Sequence, residues 1–576
     1  MLRLWRYLKP YAIPVAAVVV LIFFQSMADL YLPNLMSDIV NTGITNGDIP
    51  YILSRGALML LVAIGSSVCA ILAGYLSSHA SMGLGEIVRH KIFTHVAKFS
   101  LHEFDKIGTP SLVTRNTNDV TQVQMTTLII LRMMIYAPIM CVGGVIMAVT
   151  KDAGLAPVII VVMPVLAAVI AVVALRGFPL FRQIQKKIDR INLVLREALT
   201  GIRVIRAFNR EEDEKRRFDA ANLDLTRVSI SVNRLMAITM PIMFLVLNLT
   251  TVGIIWFGSQ RINVGLTNVG NMMAFLQYAM QILFAMLMAA LMLIMVPRAQ
   301  ASAERINEVL DTEPEIHDPA KPVPARLRRK GYVEFRNVSF HYHGAEEPAV
   351  SGISFIACPG EVTAIIGSTG SGKSTLINLI PRFYDADEGE ILIDNVDVRH
   401  LTQADLRAKI GLVPQTAVLF SGTIAENIRY GKEDATDEEV RRAAETAQAL
   451  EFVSTMKDGF DSLIAQGGTN LSGGQKQRLS IARALVRKPE IYLFDDSFSA
   501  LDFKTDAKLR AALKRETEEA TVLIVGQRVA TIMDSDRIIV LDEGRIAGMG
   551  THKELYKTCD IYKEIVASQL SEEEIA

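Results

Sequence analysis

Six apolar stretches, near residues 11–33, 56–79, 128–150, 155–175, 236–260 and 272–296, are each long enough to cross a bilayer, which takes about 20 mostly apolar residues. They fill the first 300 positions and predict an α-helical membrane domain of six spans. Short connectors near 34–55, 151–154 and 261–271 alternate with long polar ones near 80–127 and 176–235. The long connectors carry 5 and 14 Lys and Arg, and the first ten residues carry Arg3, Arg6 and Lys9. The short connectors carry only Arg55, Lys151 and Arg261. By the positive-inside rule the N-terminus and the long connectors face the cytoplasm, and six spans return the chain to that side.

At 576 residues the chain exceeds one domain. Half of it is hydrophobic and its mean hydropathy is +0.29. The formal net charge of −1 gives no general attraction to nucleic acid. The opening MLRLWRYLKPYAIPV lacks the small-residue cleavage site of a signal peptide. Arg3, Trp5, Arg6 and Lys9 instead suit a short amphipathic segment at the cytoplasmic interface. Cys69, Cys141, Cys358 and Cys559 have neither metal-ligand spacing nor a disulfide framework.

Beyond Arg298 the character changes. A helical stretch, Gln300–Leu310, leads into TEPEIHDPAKPVP, whose Pro314, Pro319, Pro322 and Pro324 forbid continuous helix. The boundaries expected are a membrane domain over 1–311, a linker over 312–330 and a second domain over 331–576, opening with a strand at Val333. There, short β-like runs alternate with charged helical segments, the pattern of an α/β domain. After the apolar run Val362–Ile366 comes GSTGSGKST: Gly367, Ser368, Thr369, Gly370, Ser371, Gly372, Lys373, Ser374 and Thr375. This is a phosphate loop in its strand-to-helix setting. Its glycines let backbone N–H groups converge on phosphates, Lys373 reaches the outer ones, and Ser374 offers a hydroxyl to magnesium. About a hundred residues later stand Leu471, Ser472, Gly473, Gly474 and Gln475, then the apolar run IYLFDD ending in Asp495 and Asp496.

Phosphate loop, LSGGQ and the acid-terminated strand together resemble an ATP-binding cassette. Cassette and spans on one chain are similar to a half-transporter of the exporter type (type IV, B-family, multidrug-type). The resemblance implies bound ATP and Mg2+. It places Tyr342 against adenine, and Ser374, Gln415 and Asp495 at magnesium. It assigns LSGGQ to ATP held by a partner, and Ser499, Ala500, Leu501 and Asp502 to the loop that crosses between cassettes. Soluble cassette ATPases lack spans, and importers usually carry spans and cassette on separate chains.

Three positions depart from the family pattern. Asp496 stands where the family has a catalytic glutamate, Gln527 where it has a histidine near the γ-phosphate, and Gln466 where a glutamate often precedes LSGGQ. Asp496 is one methylene shorter, so its carboxylate falls about 1–1.5 Å short of a glutamate's. An error of about 1 Å can cost on the order of a hundredfold in rate. Gln527 can hydrogen-bond a phosphate oxygen but cannot titrate. The expected site binds ATP well and hydrolyses it poorly, so the chain is expected to pair with a second half-transporter carrying the glutamate and the histidine. A slow homodimeric exporter and an ATP-gated regulatory or channel-like membrane protein are the alternatives.

Glu86–Phe99 and Asp189–Phe218 read as continuations of the spans. By resemblance, coupling helices that dock on cassettes are expected near Gly108–Asp119 and Arg210–Phe218. Asp29 and Arg132 are the conspicuous ionisable residues inside spans; each is open to two readings, lining a polar cavity or snorkelling at an interface. Met272, Met273, Met280, Met286, Met288, Met292 and Met295, with Gln277 and Gln281, give the last span either an adaptable binding surface or ordinary packing. Drugs, lipids or other small amphipathic compounds are the expected substrates, moved outward across the cytoplasmic (inner) membrane. No peptidase domain precedes the spans, which disfavours leader-peptide export.

Overall fold

The computed structural model describes residues 1–323 and 331–569. It forms two compact units, one of Met1–Ala97 with Thr109–Thr312, the other of Lys98–Gly108 with the chain from Glu313 onward.

Among the described residues, the first unit holds six helices long and apolar enough to cross a membrane: Leu2–Ile44, Ile49–Val96, Thr109–Lys151, Ala156–Thr200, Glu211–Asn263 and Val269–Ala289. Helix is the form that pairs every backbone N–H and C=O within its own segment, as hydrocarbon requires. Five of the six run for 43 to 53 residues, well beyond the about 20 that span a bilayer. Asp48 starts one of them sharply: its side chain accepts from Tyr51 N at 3.0 Å, with Pro50 in the first turn.

Helices Ala12–Asp38, Ile49–Val96, Val120–Lys151 and Val269–Asp311 pack as one group, while Ala156–Thr200 and Glu211–Asn263 pack chiefly on each other. A close approach within the group is made at Gly144, where a Cβ would lie 2.8 Å from Ile282 Cγ1. The self-packed pair leaves Leu175, Phe244 and Trp256 exposed within the chain. At the N-terminus Leu4 is buried and Arg3 pairs with Asp311 at 2.6 Å. No disulfide joins the four cysteines.

Two expectations about the long connectors need correction. The stretch Asp189–Phe218 does continue the flanking spans, through a break: one helix stops at Thr200, the short helix Ile202–Ala207 follows, the chain turns through Asn209 at φ 51°, and the next helix starts at Glu211. The short helix thus precedes Arg210–Phe218. That segment instead opens a long helix whose first turn carries Glu211, Glu212, Asp213 and Glu214, the charge sign that a helix N-terminus favours. In the other connector the separate short helix is Leu101–Ile107, ahead of Gly108–Asp119. Ser100 and Glu103 form a capping box at its start, and Gly108 at φ 79° ends it.

The second unit contains a six-stranded sheet in the order Arg545–Gly550, Arg537–Asp542, Val362–Gly367, Thr521–Val525, Ile491–Asp495, Ile410–Val413. All neighbours are parallel except the first pair. The central strands are buried throughout, as strands covered on both faces must be. A four-stranded antiparallel sheet, in the order Val350–Ala357, Val333–Phe340, Glu388–Ile393, Val396–Asp397, lies in the same unit. The Pro-rich segment lies along this unit: Asp318 accepts from Gln403 N at 2.9 Å, and Val323 N donates to His400 O at 3.0 Å. Pro324 and the rest of the expected linker to residue 330 lie outside the described residues.

The helix Leu101–Ile107 belongs to this unit. Glu103, 4% exposed, accepts from Ser100 N at 2.6 Å and from Glu315 N at 3.1 Å. Tyr384 donates to Asp105 at 3.3 Å, and the rings of His102 and His343 lie 4.8 Å apart. Docking of this helix on the α/β unit is therefore built into the chain.

Candidate functional site

The phosphate loop connects the central strand Val362–Gly367 to the helix Lys373–Leu379. Its turn demands glycine: Gly370 and Gly372 sit at φ 86° and 93°, and a Cβ on Gly372 would lie 2.5 Å from Ala349 O. Lys373 is buried, and its Nζ donates to Gly367 O at 3.0 Å and Ser368 O at 2.6 Å. Burial pulls the Lys373 ammonium below the usual lysine range, while Asp496 and Asp495 oppose that shift. A phosphate chain in the loop is the charge such an ammonium lacks.

Ser374 Oγ donates to Asp495 Oδ1 at 3.0 Å, so a hydroxyl from the first turn of the helix Lys373–Leu379 and a carboxylate from the end of the strand Ile491–Asp495 converge. An all-oxygen pair of this kind suits magnesium, a hard cation. Burial pushes the Asp495 carboxyl above the usual range, with Asp496 adding to it. Tyr342 OH bonds Thr375 Oγ1 at 3.0 Å, while its ring meets those of Phe340 and Tyr384 edge-on at 5.0 and 5.5 Å. Tyr342 remains 38% exposed.

Asp496 lies at the end of the strand Ile491–Asp495 with φ 45°, a conformation Asp adopts more readily than most residues. Its Oδ2 accepts from Gln527 Nε2 at 2.9 Å and from Gln415 Nε2 at 3.4 Å. Burial raises its carboxyl as well, opposed by Gln415 and Ser499. Two departures from the family pattern are thus in direct contact. Gln527 is itself tethered by Gln569, whose Nε2 donates to Gln527 O at 2.8 Å and whose Oε1 accepts from Val529 N at 2.8 Å. Nothing in the local sequence announces this tie across 42 positions. Gln466 is exposed on the turn Gln466–Gly468.

The signature opens the helix Gly473–Val486. Gln475 N donates to Ser472 Oγ at 3.3 Å and Gln475 Oε1 accepts from Ser472 N at 2.9 Å, a capping box. This uses an acceptor of the Ser472 hydroxyl and leaves its O–H free to donate. Leu471 is largely buried, and Gly473 has open space where a Cβ would go. A Cβ on Gly474 would lie 3.1 Å from Ala500 O, so signature and inter-cassette loop touch within one chain. In that loop Ser499 Oγ donates to Asp496 O at 2.9 Å, Leu501 is buried, and Asp502 caps the helix Phe503–Glu516 through Thr505 N at 3.0 Å. No hydrogen bond joins the signature to the phosphate loop among the described residues.

The phosphate loop, the magnesium-type pair and the signature, in a chain that also carries six spanning helices, agree with what known proteins show. Residues 15–286 match the ABC transporter transmembrane region family, and residues 350–499 match the ABC transporter family. An "Uncharacterized ABC transporter ATP-binding protein" of Mycobacterium tuberculosis is 44% identical over 98% of this chain and 97% of its own length. An ATP-dependent lipid A-core flippase of Vibrio vulnificus is 30% identical over 99% of this chain and 97% of its own. A bacterial Atm1-family ABC exporter, solved with ATP bound, superposes with a TM-score of 0.80 at 26% identity, covering 97% of this chain and 98% of that one. The chain is a multi-pass membrane protein belonging to the ATP-binding cassette transporters, as a half-transporter of the exporter type.

Proposed function

We propose that this chain is one subunit of a heterodimeric exporter of amphipathic compounds, in the cytoplasmic membrane, with its N-terminus and cassette in the cytoplasm. Its own site would bind ATP with magnesium through Tyr342, the loop Gly367–Thr375, Gln415 and Asp495, and hydrolyse it slowly. Leu471–Gln475 would complete the active site of a partner that carries the glutamate and the histidine.

The observation that carries this reading is the Asp496 carboxylate. It is a short acid whose Oδ2 is held by the amides of Gln527 and Gln415, and a general base must come within hydrogen-bond reach of the water it activates. Need for a second half is supported by the helix pair Ala156–Thr200 and Glu211–Asn263, whose apolar faces find little cover in their own chain. A lipid-like cargo is supported by the flippase relative. The test is steady-state ATPase of the lone chain in nanodiscs beside the co-expressed pair. Slow turnover alone and fast turnover in the pair is the expected result; robust turnover by the lone chain would refute the assignment.

A further inference from the structure

Two helices of the membrane unit reach the carboxylate of a third, and a fourth bonds the backbone beside it. Asp29 lies in Ala12–Asp38; Ser66 Oγ from Ile49–Val96 donates to its Oδ1 at 2.5 Å, and Tyr136 OH from Val120–Lys151 to its Oδ2 at 3.1 Å. From Val269–Asp311, Gln281 Nε2 donates to Asp29 O at 3.2 Å and Tyr278 OH to Leu30 O at 2.9 Å. Counting along each helix to its end at Ile44, Ile49, Lys151 and Val269 puts Asp29, Ser66, Tyr136 and Gln281 about 18–25 Å from those ends. Asp29 is instead tied into the unit by side chains of two other helices.

What remains unfilled is all of one kind. Each carboxylate oxygen has two lone pairs, and one side-chain donor reaches each. Gln281 Oε1 is buried with no hydrogen-bond partner. No Lys, Arg or His among the described residues forms an ion pair with Asp29. A network serving only to hold helices together leaves few buried acceptors unmatched. Here an acid and an amide oxygen face inward, and a group with several N–H donors and a positive charge is their complement.

An exposed stripe lies on the helix that carries Gln281. Met273, Gln277, Gln281, Phe284 and Met288 share one helix face by spacing, and Met273, Gln277, Phe284 and Met288 are exposed within the chain. Thioether and aromatic surface along this stripe suits an apolar body of variable shape.

We infer that Asp29 and Gln281 form a binding site for the ammonium group of a cationic amphipath, with the Met- and Phe-bearing face of the last span taking its apolar part. As an account of cargo this rests on the export reading above; as a binding site it does not.

The test uses a matched fluorescent pair: dansylcadaverine, which carries a primary ammonium, and its N-acetylated, uncharged form. Binding is measured with the full-length protein, together with any half-transporter that purifies with it, in lipid nanodiscs. The wild type should prefer the amine by about tenfold or more, the worth of a charge-assisted hydrogen bond. Asp29→Asn should reduce that preference to about threefold or less and leave the acetylated probe unchanged. Gln281→Leu should lower it several-fold. Tyr136→Phe removes a donor but keeps the charge, and should retain the preference. Equal binding of both probes by the wild type, or an undiminished preference in Asp29→Asn, would overturn the inference. Should Asp29→Asn fail to fold, an unchanged preference in Gln281→Leu would overturn it equally. ATP-driven uptake of the amine into inside-out vesicles reads the export assignment separately: binding selectivity without uptake would strike that assignment and leave the site standing.

Discussion

Gln527 donates its side-chain amide to Asp496 Oδ2 at 2.9 Å. The two residues that depart from the family's catalytic pair thus satisfy each other. Restoring only one would leave the other out of place: a histidine beside Asp496 lacks the longer acid, and a glutamate beside Gln527 meets an amide in its way. Asp496→Glu with Gln527→His should therefore speed hydrolysis at this chain's own site by about tenfold to a hundredfold. Either change alone should do much less, since residues acting as a unit are non-additive. Conversion of radiolabelled ATP trapped in the complex measures it.

Gly474 should matter more to turnover than Asp496. Its Cβ position already faces Ala500 O at 3.1 Å, so Gly474→Asp places a charged side chain against Ser499–Asp502 and, in the proposed pairing, in the path of the partner's ATP. That variant should nearly abolish ATPase and transport, Asp496→Asn should keep much of both, and Lys373→Ala should fall between. Equal damage from Gly474→Asp and Asp496→Asn would show that both sites hydrolyse.

Tyr342→Ala should weaken ATP binding at this chain's site by the worth of one base–aromatic stack, about 1–3 kcal/mol. Tyr342→Phe loses only the bond to Thr375 and should keep most of the affinity. Titration with a fluorescent ATP analogue distinguishes the two.

Burial raises the Asp496 carboxyl above its unfolded value. Below the unfolded range the group is neutral in both states and carries no penalty. As pH rises through the higher folded value, the stability associated with the neutral form is lost. Asp496→Asn removes that loss, so its Tm without nucleotide should exceed the wild type's at pH 7 to 8. The gain should vanish as pH falls toward about 4, the ordinary carboxylate range. Calorimetry across this window checks it.

Glu103 satisfies Ser100 N and Glu315 N from a buried position. Glu103→Ala should cost about 1–3 kcal/mol of local stability by leaving those donors unmet. Hydrogen exchange should quicken over residues 100–108, and transport should fall more than ATPase as the helix Leu101–Ile107 loosens.

The sequence alone determined the six spans, because a bilayer core demands some twenty apolar residues in a row and each stretch supplies them. It also located the phosphate loop and signature, because positions that need glycine for φ 93° or for close approach leave a local imprint. Helix boundaries in the connectors were less legible: Ser100 with Glu103 is a local cap signal, yet its use depends on Glu315 arriving from 212 positions away. Contacts between distant segments were decided only by the tertiary structure. Gln569 fixing Gln527, Gln527 holding Asp496, and Ser66, Tyr136 and Gln281 gathering on Asp29 each join residues whose own neighbours carry no trace of the partner. Short-range rules act through backbone geometry and periodicity, which the sequence writes directly. A side-chain hydrogen bond depends on where two elements come to pack, and packing belongs to the folded chain as a whole.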